Sequence, residues 1–215
     1  MVLIHSRRPI KKHIKNHFQE YNIQSIANTL FSVSLFRANN HTLKSILTQN
    51  QIKLTVKRLA HQVLENHLGL ENTVIIGIQP RGIFLSDRIV DELKQMIPAE
   101  KILYGKLDIT FYRDDIRNEL KLANATQIPF STAAKNIVII DDVLWTGRTI
   151  RSALDALIDF GRPSKVELCV LIDRRFSREL PIQADYIGRA IDTFPSQKVF
   201  VRWKENHGTD EVVLE

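Results

Sequence analysis

The sequence predicts an α/β domain with a mostly parallel central sheet flanked by helices. Apolar strand-like runs alternate with helical patterns in the order strand, helix, strand, loop, strand, helix, strand, and parallel strands require such crossovers. The central runs "TVIIGI", "NIVII" and "ELCVLI" are apolar almost throughout, as strands covered on both faces are. Two of the turns that follow, "GIQPRG" and "DDVLWTGRT", lie at the carboxyl ends of strands, where open α/β sheets bind ligands.

Taken in order, "QIKLTVKRLAHQVLENHLGL" places Ile52, Val56, Leu59, Val63 and Leu64 at helical spacing and ends on Gly69. "NTVIIGIQPRG" reads as a short strand running into a turn, and "IFLSDRIVDELKQMI" as a helix stopped by Pro98. "KILYGKLDITFYRDD" alternates like a strand, and "IRNELKLANATQIPFSTAA" is polar and irregular. "NIVII" is the next strand, "TIRSALDALIDFG" a helix stopped by Gly161 and Pro163, and "KVELCVLIDR" a further strand.

The chain has 215 residues, 44% of them hydrophobic, enough for one domain with a core of its own. No apolar run approaches the roughly 20 residues that cross a bilayer, and no compact apolar region precedes a small-residue cleavage site. A cytoplasmic location and no membrane partner are the expectations. Cys169, the single cysteine, lies in the apolar "VELCVLID" and reads as core packing, since nothing nearby would lower its pKa.

The net charge of +6 is uneven. Residues 1 to 50 hold seven Lys or Arg against Glu20 alone, which leaves 23 basic and 23 acidic side chains of the 30 and 24 for the remainder. A basic extension over residues 1–47 and a neutral body over 48–215 follow from that division. For the extension, a disordered arm, an added helix, an RNA-contacting tail and a start codon chosen too far upstream remain open.

The chemistry concentrates in "NIVIIDDVLWTGRTI". Asp141 and Asp142 fall just past the apolar part of the strand, where carboxylates can meet water and ligand. Neighbouring strand residues point to opposite faces, so the pair need not repel at one point. Such a pair suits the vicinal hydroxyls of a sugar or a hydrated Mg²⁺. The Thr-Gly-Arg-Thr turn after it brings backbone N–H groups and hydroxyls to a helix N-terminus, which suits a phosphate. Together they suggest a phosphorylated sugar. A solvated strand end followed by an ordinary turn is the plain alternative.

The thirteen residues "IVIIDDVLWTGRT" resemble the phosphoribosyl pyrophosphate (PRPP) signature of type I phosphoribosyltransferases, most closely in its PyrR-family form. "VIIGIQPRGIFLSDRI", "LDITFYRDDI", "ALDALIDFGRPSKVELCVLIDRR", "RELPIQADYIG" and "KVFVRW" resemble successive blocks of that family in the same order, covering roughly Thr48 to Glu215. The resemblance implies the type I phosphoribosyltransferase fold with a mobile hood. It implies a uracil phosphoribosyltransferase that makes UMP from uracil and PRPP with Mg²⁺. It also implies a UMP-dependent regulator that binds pyr leader RNA, and a homo-oligomer.

Carried onto this chain, the family implies that Asp141 and Asp142 bind the ribose hydroxyls, with either a candidate Mg²⁺ ligand. Leu144, Trp145, Thr146, Gly147, Arg148 and Thr149 would hold the 5′-phosphate, and Val143 beside them would also contact PRPP. Pro80 and Arg81 would face the departing pyrophosphate, Arg113 would act from the hood, and Arg174 would also reach the pyrophosphate side. The backbone of Ile187 and Gly188 would read the uracil edge. Lys57, Arg58, His61 and Arg178 would contact RNA. Catalysis itself would rest on Arg81, Arg113, Asp141 and Asp142.

Trp145 turns the choice of base. Purine enzymes of this class generally resemble "DTG" at this point, with an aspartate that handles a ring proton, whereas this chain has "WTG". An indole can neither give nor take that proton, and the tyrosine more usual in PyrR is replaced as well. Three departures bear on RNA binding: Gln183 stands where an arginine is usual, "DRRFSRELPI" carries an extra residue, and the hood "DDIRNELKLANATQIP" is short. An enzyme without RNA regulation, and a nucleotide-sensing regulator with little turnover, are the alternatives.

Overall fold

The computed structural model describes residues 43–113 and 124–215. Residues 1–42 of the basic extension and residues 114–123 of the predicted hood lie outside the described residues.

The body holds two sheets. Five parallel strands run in the order β3-β2-β4-β5-β6: β2 (Thr73–Ile78), β3 (Leu103–Leu107), β4 (Asn136–Leu144), β5 (Lys165–Arg175) and β6 (Tyr186–Asp192). A smaller antiparallel sheet takes the order β1-β8-β7: β1 (Lys44–Leu47), β7 (Val199–Arg202) and β8 (Glu211–Leu214). The sequence reading began the body at Thr48, but Lys44 and Ser45 already pair with Leu214 and Val213. Strands of four residues have too little alternation to announce themselves.

The helices are α1 (Gln49–Asn66), α2 (Gly82–Leu93), α3 (Arg148–Leu157) and the single turn α4 (Lys204–His207). Thr48 and Gln51 form a capping box, with the Thr48 N–H donating to Gln51 Oε1 at 2.9 Å. That reciprocal bond starts α1 where it does. α2 stops at Leu93 rather than continuing to Pro98, and α3 tightens into a 3-10 turn at Ile158–Phe160 before Gly161. Among the described residues no helix is long and apolar enough to cross a membrane.

The period-2 alternation of the central strands feeds two cores. Ile75, Val138, Ile140, Cys169 and Leu171 pack against α1 and α2, while Val74, Ile76, Ile137, Ile139 and Val170 pack against α3. Cys169 pairs in register with Ile140 and is fully buried, and burial pushes its thiol up, so it packs rather than reacts. Gly77 and Gly82 let α2 close on the sheet. A Cβ on Gly77 would meet Ser86 Oγ at 2.1 Å, and one on Gly82 would meet Ile140 O at 2.6 Å. The N-terminus of α2 is thereby pressed against β4 where its carboxylates begin.

Candidate active site

β4 does not end before its aspartates. It runs to Leu144, and Asp141 and Asp142 lie within it, 7% and 5% exposed, so the expectation that they fall just past its buried part is corrected, and the plain alternative of a solvated strand end goes with it. What makes their burial tolerable is partnership. Asp142 Oδ2 accepts from Arg81 Nε at 2.8 Å and meets Arg81 Nη2 at 2.8 Å, while Asp141 Oδ1 accepts the Asp142 N–H at 2.9 Å. Pointing to opposite faces does not uncouple the two. Burial first, then the Asp142 charge, pushes the Asp141 carboxyl well up, against the opposing pull of Arg81 and Arg113. Burial raises Asp142 too, and Arg81 draws it back.

Gly147, at φ 94°, is the N-cap of α3, a left-handed position that glycine takes without strain. With Arg148 and Thr149, the first residues of α3, it lines the same cavity as the carboxylate pair. Glu179 and Leu180 both donate backbone N–H groups to Thr146 O, at 3.0 and 3.2 Å, and brace the turn from outside. The Arg148 guanidinium bonds Glu179, with Nε at 2.7 Å from Oε2, so this residue offers its backbone to the cavity more than its charge. Across β4, the Gln79–Pro80 peptide is cis, and Arg81 follows as the N-cap of α2.

These turns line one cavity of about 670 Å³. Pro80, Arg81, Arg113, Asp141, Asp142, Val143, Leu144, Trp145, Thr146, Gly147, Arg148, Thr149 and Arg174 all border it. Lys198, Val199 and Phe200 form a wall the sequence reading missed. They belong to β7 and the residue before it, and no local signal in "KVFVRW" says that a strand of a different sheet reaches the site.

Four assignments change. Ile187 and Gly188 are not among the lining residues: in register Ile187 pairs with Val170, itself opposite Asp141, two strands from the carboxylates. Their carbonyls accept from Arg58 Nη2 at 3.2 and 2.6 Å, so the expected base-reading backbone is engaged elsewhere. The same contacts engage Arg58, which was expected to face RNA, while its side chain stays exposed on α1. Arg178 is half-buried, donating to Ile182 O at 3.0 Å, Leu144 O at 3.2 Å and Arg174 O at 3.0 Å, and also bonding Trp145 O and Asp173. It clasps the end of β4 to the end of β5. Lys57 and His61 do remain exposed on α1.

Arg174 lines the cavity on the β5 flank, across β4 from the Arg81 turn, so its expected place on the pyrophosphate side is not what the strand order gives. Its guanidinium lies over the Trp145 ring, 4.8 Å from the centroid. Nε donates to Thr193 Oγ1 at 3.1 Å and Nη2 to Gln197 O at 2.9 Å. Only 3% of the residue is exposed, and burial lowers its pKa.

Among the described residues, no group of three or more His, Cys, Asp or Glu side chains gathers as a self-sufficient metal site. Asp141 and Asp142 fit an ion that arrives with other oxygen ligands.

Comparison with known proteins agrees with this geometry. The phosphoribosyl transferase domain family matches residues 42–206. The bifunctional protein PyrR of Elusimicrobium minutum is 46% identical over 174 residues, covering 80% of this chain and 96% of the relative. The Deinococcus radiodurans protein of the same name is 44% identical over 172 residues, covering 79% and 93%. Among solved structures, the hypoxanthine phosphoribosyl transferase of Trypanosoma cruzi superposes with a TM-score of 0.61 at 16% identity, covering 80% of this chain and 90% of that one. That likeness speaks to fold alone. The buried carboxylate pair, the phosphate-type turn and the extent of these matches place the chain in the phosphoribosyl transferase domain family, among the bifunctional PyrR proteins.

Proposed function

We propose that the chain transfers the 5-phosphoribosyl group of PRPP to uracil, giving UMP and pyrophosphate, and that its UMP-bound form binds pyr leader RNA. One observation carries the transferase reading: Arg81, the Asp141–Asp142 pair and the Gly147 turn border a single cavity, with Trp145 in its wall. The carboxylates match the ribose hydroxyls, and the α3 N-terminus matches the 5′-phosphate.

In the transfer, the C1–O bond to pyrophosphate breaks and its electron pair leaves with the pyrophosphate, while the uracil nitrogen bonds to C1 and gives its proton to the departing pyrophosphate or to water. Positive charge builds on the sugar and negative charge on the leaving group. Arg81 and Arg113 stabilise the latter more in the transition state than in the ground state, which is what accelerates the step. Asp141 and Asp142 orient the ribose and face its developing charge. Asp141 or Asp142 would hold Mg²⁺ together with oxygens of PRPP, and the ion would supply further positive charge to the pyrophosphate.

The base then lies by Trp145, whose indole supplies an aromatic wall and no proton donor to a purine nitrogen. Initial rates of pyrophosphate release with uracil, hypoxanthine or guanine as acceptor test the assignment; release with the purines and none with uracil would refute it.

The engagement of Arg178 within the fold favours a second reading, an enzyme without RNA regulation. Filter binding of pyr leader RNA across a salt series, with and without UMP, separates the two. The regulator reading requires UMP-dependent binding that involves Lys57 and His61. A homo-oligomer, implied by the family, is tested by light scattering on the same preparation.

A further inference from the structure

Asp108 immediately follows β3 and borders no part of the cavity, yet its burial is nearly as complete as that of the site carboxylates. It stands between Leu107 and Ile109, 1% and 3% exposed, where a charge needs strong partners. It has them on both sides of the crossover. Oδ1 accepts the N–H of Thr110 at 2.6 Å and Oδ2 the N–H of Asn124 at 2.6 Å. Its own N–H donates to Thr126 Oγ1 at 3.1 Å. Bonds of that kind to an ionised acceptor are about twice as strong as neutral ones.

Thr110 opens the 3-10 turn Thr110–Tyr112, closed by the Tyr112 N–H on Ile109 O at 3.0 Å, and Arg113 is the next residue. Arg113 borders the cavity, and its charge acts on Asp141. On the return side, Ala125 O accepts Gln79 Nε2 at 2.9 Å. Gln79 is the residue before Pro80, and its N–H donates to Leu107 O at 2.8 Å. Lys106 and Gln127 exchange backbone bonds at 2.9 and 2.7 Å just below. One carboxylate therefore fixes the chain on which Arg113 stands, and the same joint is tied through Gln79 to the turn that carries Arg81.

We propose that Asp108 is a positioning residue for Arg113, setting it opposite Arg81 across the leaving pyrophosphate, with Gln79 as the second tie. The proposal rests on the reading of Arg113 as a PRPP ligand given above.

A double-mutant cycle tests it. Affinity for PRPP with Mg²⁺ is measured by titration calorimetry for the full chain, Asp108→Asn, Arg113→Ala and the double variant, with melting temperatures alongside. Asn keeps the volume and one acceptor oxygen but loses one of the two N–H partners. Asp108→Asn should weaken PRPP binding about tenfold in the parent and less than about twofold in the Arg113→Ala background. Gln79→Ala should show the same pattern with a smaller factor, and uracil turnover should show kcat falling more than the KM for uracil changes. Equal factors in both backgrounds would reduce Asp108 to a structural residue and overturn the proposal, as would an Arg113→Ala variant that binds PRPP like the parent. Because the cycle is read from PRPP binding, it returns its answer whichever base the enzyme uses.

Discussion

The Arg174 guanidinium stacks on Trp145, 4.8 Å from the ring centroid, and its Nη2 reaches Gln197 O at 2.9 Å. Gln197 precedes the Lys198–Phe200 wall, so one buried arginine connects the two sides of the cavity next to which the base is proposed to lie.

Trp145→Ala should therefore raise the KM for uracil about tenfold, the order of one lost aromatic stack together with its cation–π partner, and leave the KM for PRPP within about twofold. Trp145→Phe should retain most of the affinity. Steady-state kinetics with each substrate varied in turn checks the split, and a change confined to the PRPP constant would place the indole at the wrong end of the site.

Asp141→Asn should lower kcat/KM by about 10² to 10³, the usual cost of a lost transition-state contact. The same change should stabilise the ligand-free protein. With the folded pKa of Asp141 raised above its unfolded value, the folded state binds the extra proton between those two pKa values, and stability falls as pH rises through that window. Asparagine is neutral throughout. The gain in Tm over the parent should be small near pH 4 and grow toward pH 8, with each kcal/mol worth about 2–4 °C in a chain of this size. Thermal melts at both pH values measure it.

Arg178→Ala should cost about 3 kcal/mol, since it strips partners from several carbonyls and leaves the Asp173 carboxylate, 11% exposed, without its cation. Any loss of RNA affinity in this variant should follow its loss of Tm. A variant that melts like the parent and no longer binds RNA would return Arg178 to the RNA surface.

A chain beginning at Leu43 should match the full-length protein in uracil turnover, and one beginning at Thr48 should melt lower. The second deletes β1, whose Leu47 is 4% exposed and pairs with Val212 at the edge of the small sheet. Equal melting of the two truncated chains would show that β1 adds nothing.

How much of this was legible follows from which interactions are local. β2, β4 and β5 announce themselves because strands covered on both faces are continuous apolar runs, and the PRPP signature is contiguous in sequence. Arg81 and Arg113 were found because each lies in a compact motif beside its element. What stayed hidden depends on partners remote in the chain. Arg58 ends on the carbonyls of Ile187 and Gly188, Arg174 turns toward Trp145 rather than Arg81, and β7 swings Val199 and Phe200 into the wall. A basic side chain on a helix looks the same in sequence whether it meets water alone or also bonds carbonyls far along the chain.

The central claim is tested most directly by following UMP formation from radiolabelled uracil in the presence of PRPP and Mg²⁺, with hypoxanthine and guanine run in parallel. The account predicts UMP stoichiometric with pyrophosphate, dependence on Asp141 and Arg81, and no nucleotide from either purine. Purine nucleotide formation without UMP would contradict it.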